Sequence, residues 1–130
     1  MKKKRLLVIV AVVLICSIAC VYAEMVMPRA DEVFSSAYAY IYSNKNLKIS
    51  CATYDPHTIR ITRCWYEVKI NGDWEEGSAI SVSPSSASAT CLLSSQASCA
   101  SYFGTGTYRV GFTVDADGHS ITRYSNERTY

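Results

Sequence analysis

The stretch "GTYRVGFTVDADGHSITRY", residues 106–124, decides how the rest of the chain is read. Tyr108, Val110, Phe112 and Val114 fall on one side of an extended segment, and Arg109, Gly111, Thr113 and Asp115 on the other. A period of two belongs to a β-strand with one buried face. Asp117-Gly118 follows, a pair that tolerates the left-handed backbone of a tight hairpin turn. Ile121 then resumes the apolar side. The segment predicts two antiparallel strands and their turn.

Upstream the same period recurs. In "IRITRCWYEVKI", residues 59–70, Ile59 and Ile61 alternate in one phase and Cys64, Tyr66, Val68 and Ile70 in the other. The change of phase predicts a bulge, or a crossing between sheets, near Arg63. Asn71-Gly72 comes next and predicts a hairpin that sends "DWEEG" back along the strand. "LKISCATY" sets Leu47, Ile49 and Cys51 on one face and Lys48 and Ser50 on the other. "YDPHT" predicts a turn, since Pro56 cannot donate to a ladder. "FSSAYAYIYS" puts Phe34, Tyr38, Tyr40 and Tyr42 on a shared side, with Asn44-Lys45-Asn46 as a break before the next strand. Residues 78–101 hold ten serines in 24 positions. Short alternations there, "AISVS" and "ATCLL", predict weak edge strands joined by a loop that a disulfide restrains.

About seven short strands and no useful helix beyond the N-terminal segment predict an all-β fold, an antiparallel β-sandwich. Trp65 in a third strand and the run Gly106, Tyr108, Val110 give it an immunoglobulin-like outline. Tyr108 stands where a corner tyrosine ties a loop back to its strand. Val110 stands where antibody domains place a cysteine, so their inter-sheet disulfide is not expected.

The first residues concern destination. Lys2, Lys3, Lys4 and Arg5 precede an apolar run from Leu6 to Cys20, and Val21-Tyr22-Ala23 supplies small residues before Glu24. This is the pattern of a secretory signal peptide, a helix over residues 1–23 cleaved between Ala23 and Glu24. A retained membrane anchor and a lipid-modified Cys20 are the alternatives. Residues 24–33 then form an N-terminal tail and residues 34–130 the β-sandwich domain. The chain carries 13 basic and 11 acidic residues. Removing the four basic residues of the signal leaves nine against eleven, a net charge of −2. The apparent basicity is an export signal, and no nucleic-acid partner is expected. Nor is stable membrane insertion expected after cleavage.

Cys51, Cys64, Cys91 and Cys99 remain in the mature chain, an even number in an exported small domain, which predicts two disulfides. Short loops close most easily, so Cys51–Cys64 and Cys91–Cys99 are the expected pairs. The spacings lack the short ligand pair of structural zinc.

The signal segment, "MPRA" at 27–30, "SSAYAYIY" at 35–42 and the late "GTYRV…DADGHSITRYSNERTY" together resemble a group of small exported proteins of Gram-positive bacteria with no established function. The resemblance implies an extracytoplasmic β-sandwich and carries over no catalytic residue.

The chemistry points to binding and away from turnover. Asp115 and Asp117 in "DADG" offer two carboxylates, but the residues after Gly118 do not complete an EF-hand loop. A hairpin turn is the plainer reading, and neither metal nor cofactor is expected. His57 and His119 both sit beside turns, and the cysteines are expected to be paired. Glu75 and Glu76 are neighbours on a strand and point to opposite faces, a poor pair for glycoside hydrolysis. No enzyme is expected. Nine tyrosines and two tryptophans survive in the mature chain. Tyr38, Tyr40 and Tyr42 share a strand face and form a candidate stacking platform for sugar rings, with Trp74 a second candidate. For Tyr38 and Tyr40 the preferred reading is a core face, with hydroxyls reaching the rim. The sequence therefore predicts a secreted or cell-surface, non-catalytic module that binds a glycan or a protein. An exported antimicrobial or toxin-like effector is the alternative, and a secreted hydrolase comes third.

Overall fold

The computed structural model describes residues 30–130. The signal segment, its cleavage site at Ala23 and Glu24, and most of the tail lie outside the described residues. A single helical turn, α1 (Ala30–Val33), leads into seven strands: β1 (Phe34–Ile41), β2 (Asn46–Ile70), β3 (Asp73–Ala79), β4 (Ser86–Ser98), β5 (Thr107–Ala116), β6 (His119–Tyr124) and β7 (Arg128–Thr129). Every pairing is antiparallel.

β2 organises the fold. At 25 residues it is several times the usual strand length, and it changes partners along its course. Its N-terminal half lies between β1 and β4, and its C-terminal half between β5 and β3. At Ile59 and Arg60 the two neighbours are β4 and β5. β1 and β5 therefore share one edge of β2, and β4 and β3 the other. Register shifts mark the changeover, between Ala52 and Ile59 against β4 and between Ile61 and Arg63 against β5. The second shift lies where the apolar phase of the sequence changes. "YDPHT", expected as a turn, is instead part of β2. Pro56 sits in the stretch that skips its β4 partners, where a missing N–H breaks no ladder bond, and Thr53 Oγ1 donates to the Asp55 carbonyl.

Both hairpin dipeptides turn the chain. Asn71 and Gly72 take φ of 52° and 86° between the paired Ile70 and Asp73, and Asp117 and Gly118 take 48° and 93° between Ala116 and His119. Positive φ at both central positions matches the right-handed twist of the flanking strands. The serine-rich segment is more regular than its composition implies: β4 runs for 13 residues against β2. Leu93 and Ser95 point inward, the Ser95 hydroxyl donating to the Pro84 carbonyl, while Leu92, Ser94 and Gln96 point out.

One buried cluster joins the halves of the sheet. It draws Ala39 and Ile41 from β1, Leu47, Ile49, Cys51, Ile59, Ile61 and Cys64 from β2, Leu93 from β4, and Tyr108, Val110, Phe112 and Val114 from β5. Apolar burial on this scale is the main stabilising term of a small domain.

Candidate functional site

The side chains of β1 alternate, but not in the expected phase. The register slips between Phe34 and Ser36, so Phe34 is buried while Ala37, Ala39 and Ile41 take over the inward face. Tyr38, Tyr40 and Tyr42 consequently point outward, with 51%, 40% and 42% of their surface exposed. This corrects the core-face reading of Tyr38 and Tyr40. One extra residue at the strand start moves every later side chain to the other face.

The cross-strand register builds a surface around these rings. Tyr40 pairs with Lys48 and Lys48 with Gln96; Tyr38 pairs with Ser50 and Ser50 with Ser94. Directly opposed residues share a face, so each tyrosine begins a row of polar side chains running across β2 to β4. Tyr40 and Tyr42 meet edge to face, with centroids 4.9 Å apart and planes at 70°.

Beyond Tyr42 the surface opens into a groove of about 720 Å³, lined by Tyr42, Asn44, Asn46, Lys48, Ser83, Gln96 and Ser98 together with the apolar Leu47 and Ala97. The β1–β2 turn forms one wall. Lys45 takes a left-handed φ of 67°, its N–H donates to the Tyr42 carbonyl (3.0 Å), and the Tyr42 N–H donates to the Asn46 carbonyl (2.9 Å). Asn44 Oδ1 accepts from the Asn46 N–H at 3.1 Å. The Lys45 ammonium is drawn to the Phe103 carbonyl (3.0 Å) and lies 5.2 Å from the Tyr130 ring centroid. Ser83 is held against β4 by two backbone bonds with Gln96, both 3.0 Å.

The C-terminal segment braces the strand end that carries the tyrosines. The Asn126 amide acts as a substitute strand partner, accepting from the Ile41 N–H (2.8 Å) and donating to the Ile41 carbonyl (3.1 Å). Arg128 Nε donates to the same carbonyl (3.1 Å), and its Nη2 to the Tyr40 hydroxyl (3.3 Å). The Tyr130 hydroxyl donates to the Tyr42 carbonyl at 2.8 Å. Aromatic rings fixed beside amides and hydroxyls suit a polyhydroxylated ligand: C–H faces lie on the rings and hydroxyls bond to the amides.

Trp74 belongs elsewhere. It pairs with Lys69 on the C-terminal half of β2 and is half-buried. The Arg109 guanidinium lies 4.5 Å from its ring centroid and 4.2 Å from that of Tyr124, and the Lys69 ammonium lies 5.4 Å from Trp74. Glu67 Oε1 accepts from Arg109 Nε and Nη2, and Glu67 Oε2 accepts from Trp65 Nε1 at 2.9 Å. Arg63 covers Trp65 at 4.2 Å and pairs with Glu76. Trp74 is thus engaged in a stack of alternating cations and rings, apart from Tyr38, Tyr40 and Tyr42.

The remaining candidates are structural in their contacts. The Tyr108 hydroxyl accepts from the Gly104 N–H at 3.0 Å, tying the loop before β5 to the strand. Asp115 holds its own turn, accepting from the Gly118 N–H and the Ser120 hydroxyl. Asp117 pairs with His57 Nδ1 at 2.9 Å and accepts from the Thr58 N–H. The His57 hydrogen bond holds the Asp117 carboxyl below its ordinary value.

Cys51, Cys64, Cys91 and Cys99 are all free thiols in the structure, unlike the expected pairs. Cys51 and Cys64 lie on one continuous strand, so there is no loop for them to close. Cys91 and Cys99 are separated by extended chain, about 26 Å at strand rise, where a disulfide needs Cα atoms roughly 6 Å apart. Burial pushes the Cys51 and Cys64 thiols up to about 12 and Cys99 up to about 11.

Asn44, Asn46, Lys48 and Gln96 escape a reading of the sequence alone. The asparagines read as turn formers and Lys48 as a solvent-facing residue of a strand. Only the β2–β4 register sets Gln96 beside Lys48, and the serine-rich composition around Gln96 masks the strand that carries it. No protein-family model matches the chain, and no curated protein matches it significantly.

Proposed function

We propose that this chain is an exported, non-catalytic module that binds a glycan across the tyrosine row of β1 and the groove beyond Tyr42. The observation that carries the reading is the outward row Tyr38, Tyr40, Tyr42, ending at a groove walled by amides and hydroxyls. Exposed aromatic side chains held on a braced strand cost little entropy to order on binding. The groove offers amides, hydroxyls and one ammonium, a set made for holding sugars; glycoside hydrolysis calls for a pair of carboxylates. Export rests on the N-terminal sequence pattern. A β-sandwich of immunoglobulin-like outline is supported by the partner exchange of β2 and by the single core filled from both of its halves.

The test is retention of the protein on insoluble and soluble polysaccharides. Tyr42→Ala and Tyr40→Ala are expected to weaken binding about tenfold each, as loss of one ring contact worth roughly 1.4 kcal/mol would. Trp74→Ala is expected to leave binding unchanged. Retention that follows Trp74 and ignores the tyrosines would move the site to the other half of β2. Failure on every glycan, with a discrete protein recovered from extracellular extract, would replace the glycan with a protein partner.

A further inference from the structure

The outward face of β1, β2 and β4 has an uneven charge. Over the paired rows from Ser36, Ala52 and Leu92 to Asn46 and Ser98, its outward positions are Ser, Tyr, Asn, Ala, Leu and Gln, with one charged residue, Lys48. No carboxylate stands on these rows. This is notable because acids outnumber bases in the chain beyond residue 23. On the other half of β2, Arg63 pairs with Glu76 and Arg109 with Glu67. Lys48 is half-buried in the groove and has no ion-pair partner among the described residues.

A second cation approaches the row from the free edge of β1. Arg128 donates to the Ile41 carbonyl and the Tyr40 hydroxyl, and its Cζ lies 5.9 Å from the Tyr40 ring centroid. Its sequence neighbour Glu127 is exposed and forms no ion pair with it. Tyr40 is therefore flanked by Lys48 across the strand pair and by Arg128 at the edge, both cations without an ion-pair partner among the described residues.

We propose that the groove takes an anionic sugar, its carboxylate or sulfate meeting the Lys48 ammonium while Tyr42 and the amides of Asn46 and Gln96 hold the ring and its hydroxyls. This inference rests on the glycan reading and specifies its substrate class. An ammonium gains more from an anion than from a neutral hydroxyl, because a charge-assisted hydrogen bond is about twice as strong as a neutral one. A lysine presents a compact point charge and accepts either anion.

Titration calorimetry of the full-length chain with hexagalacturonate, its carboxyl-reduced form, sulfated cellohexaose and plain cellohexaose tests this. An acidic oligomer is expected to bind at least about fivefold tighter than its neutral counterpart, with the advantage shrinking between 50 and 300 mM NaCl. Which acidic oligomer shows the preference identifies the anion. Lys48→Met should abolish the preference and Lys48→Arg restore most of it, with both variants keeping the circular dichroism of the parent. Equal binding of acidic and neutral forms would overturn the anionic proposal and leave the glycan reading standing. A preference that survives Lys48→Met would also overturn it. No binding of any of the four would defeat both.

Discussion

Glu67 and Arg109 form a two-point ion pair across β2 and β5: Glu67 Oε1 accepts from Nε at 3.0 Å and from Nη2 at 2.8 Å. The same carboxylate holds the Trp65 indole N–H through its other oxygen. Glu67 is buried although it lies on the outward face of its strand, its carboxylate held by the Trp65 indole and by Arg109, whose guanidinium lies against the Trp74 and Tyr124 rings. Charge, ring and carboxylate depend on one another here. Glu67→Gln is expected to cost about 1.5–3 kcal/mol, the range for a hydrogen bond to a charged group. Urea unfolding followed by tryptophan fluorescence would show it, and a change below about 0.5 kcal/mol would mean the pair is screened as a surface pair is.

Gly111 lies under the Trp65 indole, and a Cβ at that position would overlap the six-membered ring. The indole cannot step aside, being held by Glu67 and covered by Arg63. Gly111→Ala is therefore expected to destabilise by about 1–3 kcal/mol through overpacking, or roughly 5–20 °C in Tm for a domain of this size. Adding Trp65→Phe, which shortens the ring, should recover part of the loss. Additive destabilisation in the double variant would place the strain elsewhere.

Cysteine chemistry should separate the four described thiols sharply. Cys91 is exposed, whereas Cys51, Cys64 and Cys99 are buried and their thiols are raised well above the ordinary range. Since the thiolate is the reactive form, brief iodoacetamide treatment of the reduced native protein should label Cys91 alone. Labelling of the other three should appear only with denaturant. Peptide mass spectrometry reads the outcome, and early labelling of Cys64 would show that the core opens on the minute timescale.

The Asp117–His57 pair ties the β5–β6 turn to the bulged region of β2. Because Asp117 titrates below its ordinary value in the folded state, the pair stabilises the turn above that value. The contribution fades as pH falls through the depressed one. Carboxyl NMR should place the Asp117 midpoint below that of an unfolded aspartate, and His57→Ala should raise it. An unchanged midpoint in His57→Ala would assign the shift to the Thr58 N–H instead.

Much of the local structure was legible in the chain because it is set by nearest-neighbour chemistry. The alternation of residues 106–124 produced β5, a turn and β6. Asn71-Gly72 and Asp117-Gly118 adopt the positive φ that their hairpins require. The phase change near Arg63 is a register shift against β5. Pro56, by contrast, misled: a residue unable to donate ends a regular ladder, yet a long strand accommodates it wherever the partner is skipped.

What the sequence by itself determined is the period of two, the hairpin positions and the wealth of tyrosine; what the tertiary structure decided is which face each residue serves. Apolar side chains alternate on both faces of "FSSAYAYIYS", Ala39 and Ile41 on one and the tyrosines on the other, so either could have been buried. The slip between Phe34 and Ser36 settles the matter by turning the smaller Ala39 and Ile41 into a core already filled by Leu47, Ile49 and Leu93. The groove has the same origin. Asn44, Asn46, Lys48 and Gln96 acquire a common purpose only through long-range β1–β2–β4 pairing, which depends on backbone hydrogen bonds that no local pattern encodes.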